Sequence, residues 1–311
     1  VNRYLTSNRV PLYNPVEEYL CGVGRWDGKD RIRALAGLVP CNNPYWRELF
    51  YRWFLNMVAH WRGLGNRMHA NSTSPLLIGA QGYRKSTFCR IILPPELRFG
   101  YTDSLDFGSK RDAEMYLGRF LLVNIDEFDQ VSIHQQGFLK HLLQKPVANL
   151  RKPYGSSIQE IRRYASFIGT SNHKDLLTDS SGFVCVEVTA PIDTNVTINY
   201  RQLYAQAMQA IRSGERYWFN DKDEAVLKEN NREFEQISPI EQLFHCHFRL
   251  PQEGEEGEWM SPIQILEILH AKNSDIKLTD GHAKHFGRIL KKNNLENRHT
   301  QKGVVYRIVK S

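Results

Sequence analysis

Residues 79–87 read Gly-Ala-Gln-Gly-Tyr-Arg-Lys-Ser-Thr, and the rest of the chain is interpreted from this stretch. A glycine-rich turn that opens a helix directs backbone N–H groups and the positive end of the helix dipole at an anion. A lysine in such a turn neutralises phosphate charge, and the hydroxyl that follows it reaches Mg²⁺. The stretch therefore predicts a phosphate-binding loop for a nucleotide. Arg84 departs from the usual pattern, in which a glycine precedes the lysine.

A second motif follows the loop at a suitable spacing. The apolar run of residues 120–125 ends in Asp126 and Glu127. An acidic pair at the end of a buried strand supplies what metal binding and water activation require. We expect Ser86 to be a Mg²⁺ ligand and Asp126 to bind the ion through water. Lys85 should contact the β- and γ-phosphates of ATP, and Glu127 should polarise the attacking water.

Further candidates for nucleotide binding lie in and beyond these motifs. Asn172 ends the next predicted strand, where its amide is placed to hydrogen-bond the γ-phosphate or the attacking water. Asparagine is also common at strand ends without any such role. The predicted nucleotide-binding residues are Gly79, Gln81, Gly82, Tyr83, Arg84, Lys85, Ser86 and Thr87, and the predicted catalytic residues are Glu127, Lys85 and Asn172.

Short apolar runs alternate with polar helical stretches between residues 75 and 190, which is typical of an α/β fold. The runs are continuous rather than alternating, as in strands that are buried on both faces of a parallel sheet. They cover residues 75–78, 120–125, 165–168 and 184–188. Together with the loop, they predict a P-loop NTPase core of the AAA+-like kind.

Helical patterns flank this core. Residues 1–70 are predicted to be helical, with Asn43 as an N-cap and Pro44 at the first helical position. Aromatic and apolar residues then recur at three- and four-residue spacing, which favours a buried helix face over a base-stacking surface. Residues 197–235 also have a helical pattern and are predicted to form a small lid or a connector.

The C-terminal residues have the pattern of a separate domain. Ser261 and Thr279 are predicted to cap two helices, the second of them basic, and residues 295–309 alternate as in a hairpin. This succession is typical of a winged-helix domain, whose basic helix enters the major groove of DNA. A helical cap whose charges only face water is the alternative. The candidate nucleic-acid contacts of the basic helix are Lys284, Arg288 and Lys291, and the predicted domains are residues 1–70, 71–195, 196–237 and 238–311.

A basic loop lies between the acidic strand and the strand that ends in Asn172. Arg151 and Lys152 are placed there to grip a phosphate backbone while Tyr154 stacks on a base. A structural hairpin with an exposed basic tip fits this loop equally well.

Four arginines are candidates for a cation that acts on a neighbouring subunit. Arg162 and Arg163 precede the Asn172 strand, and either would serve as an arginine finger at the γ-phosphate of another copy. Arg84 and Arg119 are rivals, and the sequence does not choose among the four.

Composition sets broad limits on function. The 311 residues include 41 Lys and Arg against 34 Asp and Glu, and the net charge of +7 favours a polyanionic partner. A mildly basic enzyme without such a partner has the same balance. Five scattered cysteines without a Cys-x-x-Cys pair indicate a reducing compartment. No apolar run approaches the roughly 20 residues that span a bilayer, so we expect a cytoplasmic protein with no membrane partner.

Several motifs together resemble one family. In chain order they are residues 15–19, Trp-Asp-Gly-Lys-Asp-Arg at 26–31, the loop at 81–87, the acidic pair at 126–127, Arg-Lys-Pro-Tyr-Gly at 151–155 and Gly-Thr-Ser-Asn at 169–172. This series resembles the virulence-associated protein E family over about residues 14–190. The resemblance implies a P-loop ATPase related to superfamily 3 helicases of phages, prophage islands and other mobile elements, often found beside primase modules. It also implies that Arg151 and Lys152 grip DNA.

One segment departs from the family. Members tend to have Asp-x-x-Gly-x-Arg-Arg-Phe after the asparagine, whereas residues 179–183 here read Asp-Ser-Ser-Gly-Phe. The arginine pair is missing, and with it a cation that the family would use near the nucleotide or the next subunit.

Residues and resemblance together predict a Mg²⁺-dependent ATPase coupled to nucleic acid. The leading interpretation is a helicase-like enzyme that uses ATP and Mg²⁺, assembles as a homo-oligomeric ring on single- or double-stranded DNA, and replicates a phage or mobile element in a bacterial cytoplasm. The alternative is a DNA-binding regulator or replication initiator that nucleotide switches, with little unwinding activity. The winged-helix-like pattern and the missing arginine pair favour this alternative, because a ring motor needs a cation in trans.

Overall fold

The structure, a computed structural model, describes residues 13–64, 71–151, 158–174, 177, 182–235, 237–252, 255–293, 295–301 and 303–310. The chain forms two compact units, which meet in sequence at residues 235 and 236. No helix within the described ranges has the length and apolar composition needed to cross a membrane.

Three helices, α1 (Pro15–Gly22), α2 (Arg31–Ala36) and α3 (Trp46–Trp61), precede the first strand. α1 and α2 begin at the capping residues Asn14 and Asp30, whose side chains accept hydrogen bonds from N–H groups of the first turn. α3 is the aromatic helix that the sequence predicts, and its tryptophans, Trp46, Trp53 and Trp61, are at most 1% exposed. The aromatic stripe is therefore a core face.

The start of α3 differs from the prediction. The side-chain oxygen of Asn43 accepts a hydrogen bond from the N–H group of Tyr45 at 2.9 Å. A bond of this kind, two residues along, forms an Asx turn and leaves that oxygen unused for capping. Tyr45 is the N-cap instead, without a side-chain capping bond. The prediction that Pro44 is the first helical residue is wrong.

The strands of the first unit are β1 (Ser74–Ile78), β2 (Tyr101–Thr102), β3 (Leu122–Ile125), β4 (Val147–Arg151), β5 (Ile158–Arg162), β6 (Ser166–Ser171) and β7 (Phe183–Glu187). Five of them form one parallel sheet in the order β2-β3-β6-β1-β7, while β4 and β5 form an antiparallel hairpin. The α/β fold and the parallel sheet are as predicted. Because all five strands run the same way, the segments that follow β1, β3 and β6 leave the sheet at one edge.

The other helices of this unit are α4 (Lys85–Ile91), α5 (Lys110–Arg119), α6 (Ile133–Gln144), α7 (Tyr200–Arg212) and α8 (Asp221–Asn230), with 3₁₀ turns at Pro95–Gly100, Phe128–Gln130 and Arg232–Phe234. Both faces of the sheet are covered. Leu77 of β1 lies in the core that includes α3 and α4, whereas Leu76 and Ile78 lie in the core that includes α5 and α6. Burial on both faces explains why the strands are continuously apolar.

α7 corrects the interpretation of residues 196–237 as a lid or connector. Leu203, Tyr204 and Ala207 are fully buried in the same core as α3. The ring of Tyr204 stacks on Trp61 with centroids 5.6 Å apart. The stripe that the sequence assigned to a lid is thus part of the core of the first unit.

The second unit combines three helices with a small sheet. They are α9 (Pro239–His247), β8 (Phe248–Arg249), β9 (Glu258–Met260), α10 (Pro262–Lys272), α11 (Asp280–Lys292), β10 (Asn297–Thr300) and β11 (Gly303–Lys310). β11 pairs antiparallel with β10, β8 and β9. Ser261 and Thr279 cap α10 and α11, and β10 and β11 form the predicted hairpin.

Candidate functional site

The loop between β1 and α4 brings backbone close to backbone. A Cβ atom on Gly79 would lie 2.7 Å from the carbonyl oxygen of Val188, so no larger residue fits there. Gly82 has a φ of +85°, in the left-handed region that glycine adopts without strain. These two glycines allow the chain to turn sharply from β1 into α4.

Arg84, the departure from the usual motif, has the same backbone requirement. Its φ is +59° and its ψ is +27°, a left-handed conformation directly before the first residue of α4. This geometry explains why a glycine is usual at the position, and a non-glycine residue there costs about 1 kcal/mol or more. The arginine side chain is exposed at the mouth of the loop.

Lys85 is buried at the start of α4, with 6% of its surface exposed. Its ammonium group donates to the carbonyl oxygens of Gly79 and Ala80, at 2.6 and 2.9 Å. It also donates to the side-chain oxygen of Asn172 at 3.1 Å. Burial lowers the pKa of Lys85, and two nearby carboxylates oppose that shift. The loop and the end of β6 therefore meet at this lysine.

Asp126 follows β3 and accepts two hydroxyl hydrogen bonds on one oxygen. The Ser86 hydroxyl donates to its Oδ1 at 2.8 Å, and the Thr170 hydroxyl donates to the same atom. Ser86 and Asp126 were predicted as the two metal ligands, and they are in direct contact. Together they present the hard oxygen atoms that Mg²⁺ prefers.

Glu127 lies at the apex of the turn after Asp126. Its φ of +51° and ψ of +50° place it in the left-handed region, which is uncommon for a residue with a side chain. The side chain is exposed, and within the described part of the chain no group pairs with its carboxylate. A left-handed glutamate at the end of a central strand is a strained feature of the kind that clusters at functional sites.

These segments enclose a cleft of about 350 Å³ at the carboxyl edge of the sheet. It is lined by Gln81, Gly82, Arg84, Lys85, Ser86, Thr87, Asp126, Glu127, Thr170, Ser171 and Asn172. Gly79 and Tyr83 were also predicted to bind nucleotide but are not in this lining. The N–H group of Tyr83 donates to the carbonyl oxygen of Ala80 at 3.4 Å.

Arg163 lies away from the cleft and is 1% exposed. Its guanidinium group donates four hydrogen bonds of 2.7–3.0 Å to backbone carbonyl oxygens. The acceptors belong to Asn71, Leu143, Lys145 and Ala165. Burial lowers its pKa to about 9. A group so enclosed does not reach another subunit, and this placement argues against Arg163 as the arginine finger.

Arg162 is exposed but also engaged. Its guanidinium group donates to the carbonyl oxygens of His60 and Trp61 at the end of α3 and lies 4.8 Å from the ring centroid of Tyr164. Arg119, a rival candidate, lies 5.5 Å from the ring centroid of Phe120.

The predicted nucleic-acid contacts lie outside the cleft. Arg151 is the last residue of β4, and Lys152 and Tyr154 lie outside the described residues. Lys284, Arg288 and Lys291 are exposed on α11 in the second unit, and no described carboxylate pairs with them. Other cations of that unit are neutralised in the ion pairs Arg249–Glu255, Arg307–Glu296 and Lys310–Glu258.

Three residues around the site, Thr170, Ser171 and Asp129, were not predicted. The Thr170 hydroxyl donates to Asp126, and the Ser171 hydroxyl donates to Oδ1 of Asp129 at 3.1 Å. The N–H group of Asn172 also approaches that oxygen, at 3.4 Å. The sequence did contain a signal for them, because Thr170 and Ser171 directly precede Asn172 at the end of β6. Two hydroxyls at that position can be expected to contact the carboxylates that follow the neighbouring strand, β3.

Comparisons with known proteins give one family for each unit. A family model for the virulence-associated protein E-like domain matches residues 20–236, and one for a domain of unknown function, DUF3874, matches residues 237–308. No curated protein matches the chain.

Two solved apo structures of the NrS-1 C-terminal region are similar to the chain over 94% of its length. One has 12% identity, a TM-score of 0.44 and 77% of its own chain covered. The other has 13% identity, a TM-score of 0.45 and 78% of its own chain covered. Similarity at this level carries no argument about function.

Proposed function

This chain belongs to the virulence-associated protein E-like family, and we propose that its first unit is a P-loop, AAA+-like ATPase that depends on Mg²⁺ and is coupled to nucleic acid. One observation carries the proposal. One cleft brings together the Lys85 ammonium group, the Ser86 hydroxyl and the Asp126 carboxylate. The cleft lies beside a loop that leads into the N-terminus of α4, where backbone N–H groups favour an anion.

The residues of this cleft fit the triphosphate of ATP and one Mg²⁺ ion. Lys85 and the loop supply positive charge and hydrogen-bond donors to phosphate oxygens. Ser86 and Asp126 would hold Mg²⁺, which when bound neutralises negative charge on the phosphates.

The remaining polar side chains act by position. Glu127 is the unpaired carboxylate at the edge of the cleft and accepts a proton from, or orients, the attacking water. Asn172 gives its oxygen to Lys85, which leaves its NH₂ group to hydrogen-bond the γ-phosphate or that water. Catalysis of this kind is mostly positioning and charge stabilisation.

The test is ATP hydrolysis by the Lys85→Ala variant, with and without single-stranded DNA. We expect turnover to fall at least about 1,000-fold, because both phosphate charge stabilisation and the contact to Asn172 are lost. Arg90→Ala, a change at an exposed position of α4 outside the cleft lining, is the control and should keep turnover within about twofold of wild type. Wild-type turnover by Lys85→Ala would refute the assignment of this cleft.

The finer proposal is a ring-forming, superfamily 3-like helicase of phage or mobile-element replication, with a winged-helix-like second unit that binds DNA. The unpaired cations of α11 support the nucleic-acid partner. ATP-dependent strand displacement, together with native mass for the subunit count, tests it.

A nucleotide-switched DNA-binding regulator or initiator is the second candidate. The burial of Arg163 favours it, because one of the four candidate arginine fingers is committed to the fold. Tight duplex binding that depends on nucleotide, without strand displacement, would decide for the regulator.

A further inference from the structure

β6 ends in two hydroxyl residues whose side chains point to opposite faces of the sheet. Successive residues of a strand alternate between faces, so Thr170 and Ser171 cannot serve the same partner. Both are nearly inaccessible, at 2% and 1% exposure. Buried hydroxyls need hydrogen-bond partners, and each of these finds a carboxylate of the segment that follows β3.

The Thr170 side chain lies on the face of the sheet that packs against α4. Its hydroxyl donates to Oδ1 of Asp126, the oxygen that the Ser86 hydroxyl also contacts. Ser86 is a proposed Mg²⁺ ligand, so its hydroxyl has a second task. Thr170 has no such task, so its hydroxyl can keep its bond to Asp126 when Ser86 contacts a metal ion.

The Ser171 side chain contacts the later part of the turn that follows β3. Its hydroxyl lies 3.1 Å from Oδ1 of Asp129 and 2.9 Å from the carbonyl oxygen of His173. The N–H group of Asn172 approaches the same carboxylate oxygen at 3.4 Å. Asp129 is therefore tied to the end of β6 by the Ser171 hydroxyl proton, which it shares with the His173 carbonyl oxygen, and by the N–H group of Asn172.

Glu127 lies between the two carboxylates that β6 holds. Its left-handed backbone is unfavourable on its own and persists only where the surroundings fix it. The attachment of Asp126 and Asp129 to one neighbouring strand supplies that constraint, while the Glu127 carboxylate remains free at the edge of the cleft.

We infer that Thr170 and Ser171 are positioning residues for ATP hydrolysis: Thr170 orients Asp126 toward the metal, and Ser171, through Asp129, holds Glu127 in place. This inference rests on the proposed function and adds two separable roles to it. The two roles predict different defects.

Thr170→Val removes the hydroxyl and keeps the shape of the side chain in a strand. The readout is the rise in Tm with Mg²⁺ in the presence of the non-hydrolysable analogue adenylyl imidodiphosphate. In this variant, the Mg²⁺ concentration at half of the rise should increase about tenfold. Thr170→Ser, which restores the hydroxyl, should return it to within about twofold of wild type.

Ser171→Ala should leave that Mg²⁺ concentration and the KM for ATP within about twofold of wild type but lower kcat about tenfold, because only the water-orienting group is displaced. Asp129→Ala, which removes the acceptor oxygen of both bonds, should give the same split. If the two act through one contact, the double variant should be no slower than the slower single variant.

The outcomes separate this inference from the function on which it rests. Wild-type Mg²⁺ dependence in Thr170→Val together with wild-type kcat in Ser171→Ala, while Lys85→Ala is inactive, would overturn the positioning roles and leave the ATPase intact. Additive losses in the Ser171 and Asp129 double variant would overturn the link through Asp129. Full activity of Lys85→Ala would overturn the ATPase proposal itself.

Discussion

Lys85 and Arg163 are both buried cations of the first unit, yet their surroundings differ. Lys85 is 6% exposed and Arg163 is 1% exposed, and in the described structure neither forms an ion pair. Arg163 is surrounded by four backbone carbonyl oxygens from three segments. Lys85 has two carbonyl oxygens and one side-chain oxygen, and it lines a cleft.

The difference shows how burial of a positive charge can serve either the fold or a ligand. Backbone carbonyl dipoles solvate both cations, which removes the need for a carboxylate partner. The acceptors of Arg163 lie at the C-terminal end of α6 and in the segments that lead into β1 and β6, so its charge stabilises the ends of these elements. One acceptor of Lys85 is an asparagine side chain that can turn away, which leaves the ammonium group available to an anion.

The largest expected effect is on the stability of the first unit. Arg163→Ala leaves four buried carbonyl oxygens without a donor and should lower the free energy of unfolding by about 4 kcal/mol. Lys85→Ala, the matched change at the cleft, should lower it by at most about 1 kcal/mol. Urea unfolding followed by tryptophan fluorescence measures both, because five of the six tryptophans lie in this unit. Equal losses would remove the distinction between the two cations.

The comparison extends to cations that are neither buried nor paired. Replacement of Lys284, Arg288 and Lys291 by alanine should weaken duplex DNA binding on the order of 10- to 100-fold and lower the salt dependence of the binding constant, because phosphate contacts are lost. The control replaces Arg249, Arg307 and Lys310, which are already paired with glutamates, and should change affinity less than about threefold. Fluorescence anisotropy at several salt concentrations is the measurement. Equal effects of the two triple variants would contradict a role for α11.

The smallest expected effect concerns the exposed Arg84. Arg84→Gly relieves the left-handed strain and should stabilise the first unit by up to about 1 kcal/mol, which corresponds to about 2–4 °C in Tm for a unit of this size. Arg84→Ala keeps the strain and should give no such rise. Thermal unfolding of the two variants separates backbone strain from any effect of the arginine charge. A fall in Tm for Arg84→Gly would mean that the side chain stabilises the loop.

The sequence predicts the elements that depend on local patterns. Continuous apolar runs predicted four of the five strands of the parallel sheet, and Ser261 and Thr279 cap the helices that they were expected to cap. β2 was missed, because the two residues Tyr101 and Thr102 are too short for a periodic signal.

Features that depend on contacts between residues distant in sequence were harder to predict. The Lys85, Ser86 and Asp126 cluster could be predicted because lysine and serine at the start of a helix after a glycine-rich loop, and aspartate at the end of a strand, each have a fixed chemical task. The burial of Arg163 could not, since the carbonyl oxygens that enclose it come from residues 71, 143, 145 and 165. The neighbouring Arg162 has the same residue type and is exposed, so the sequence gives no reason to treat the two differently.

The contacts of this arginine pair also bear on how the protein is made. The C-terminal end of α3 depends on Arg162 for a donor to the carbonyl oxygen of Trp61, 101 residues earlier in the chain. At a synthesis rate of about 5–20 residues per second, α3 is synthesised about 5–20 s before that donor. During this interval β6 and β7 of the sheet that covers the tryptophan-rich face of α3 have not been translated, and the donor at its C-terminal end is absent. A chaperone that binds exposed aromatic segments would therefore meet this chain at α3, before the nucleotide site has been translated in full.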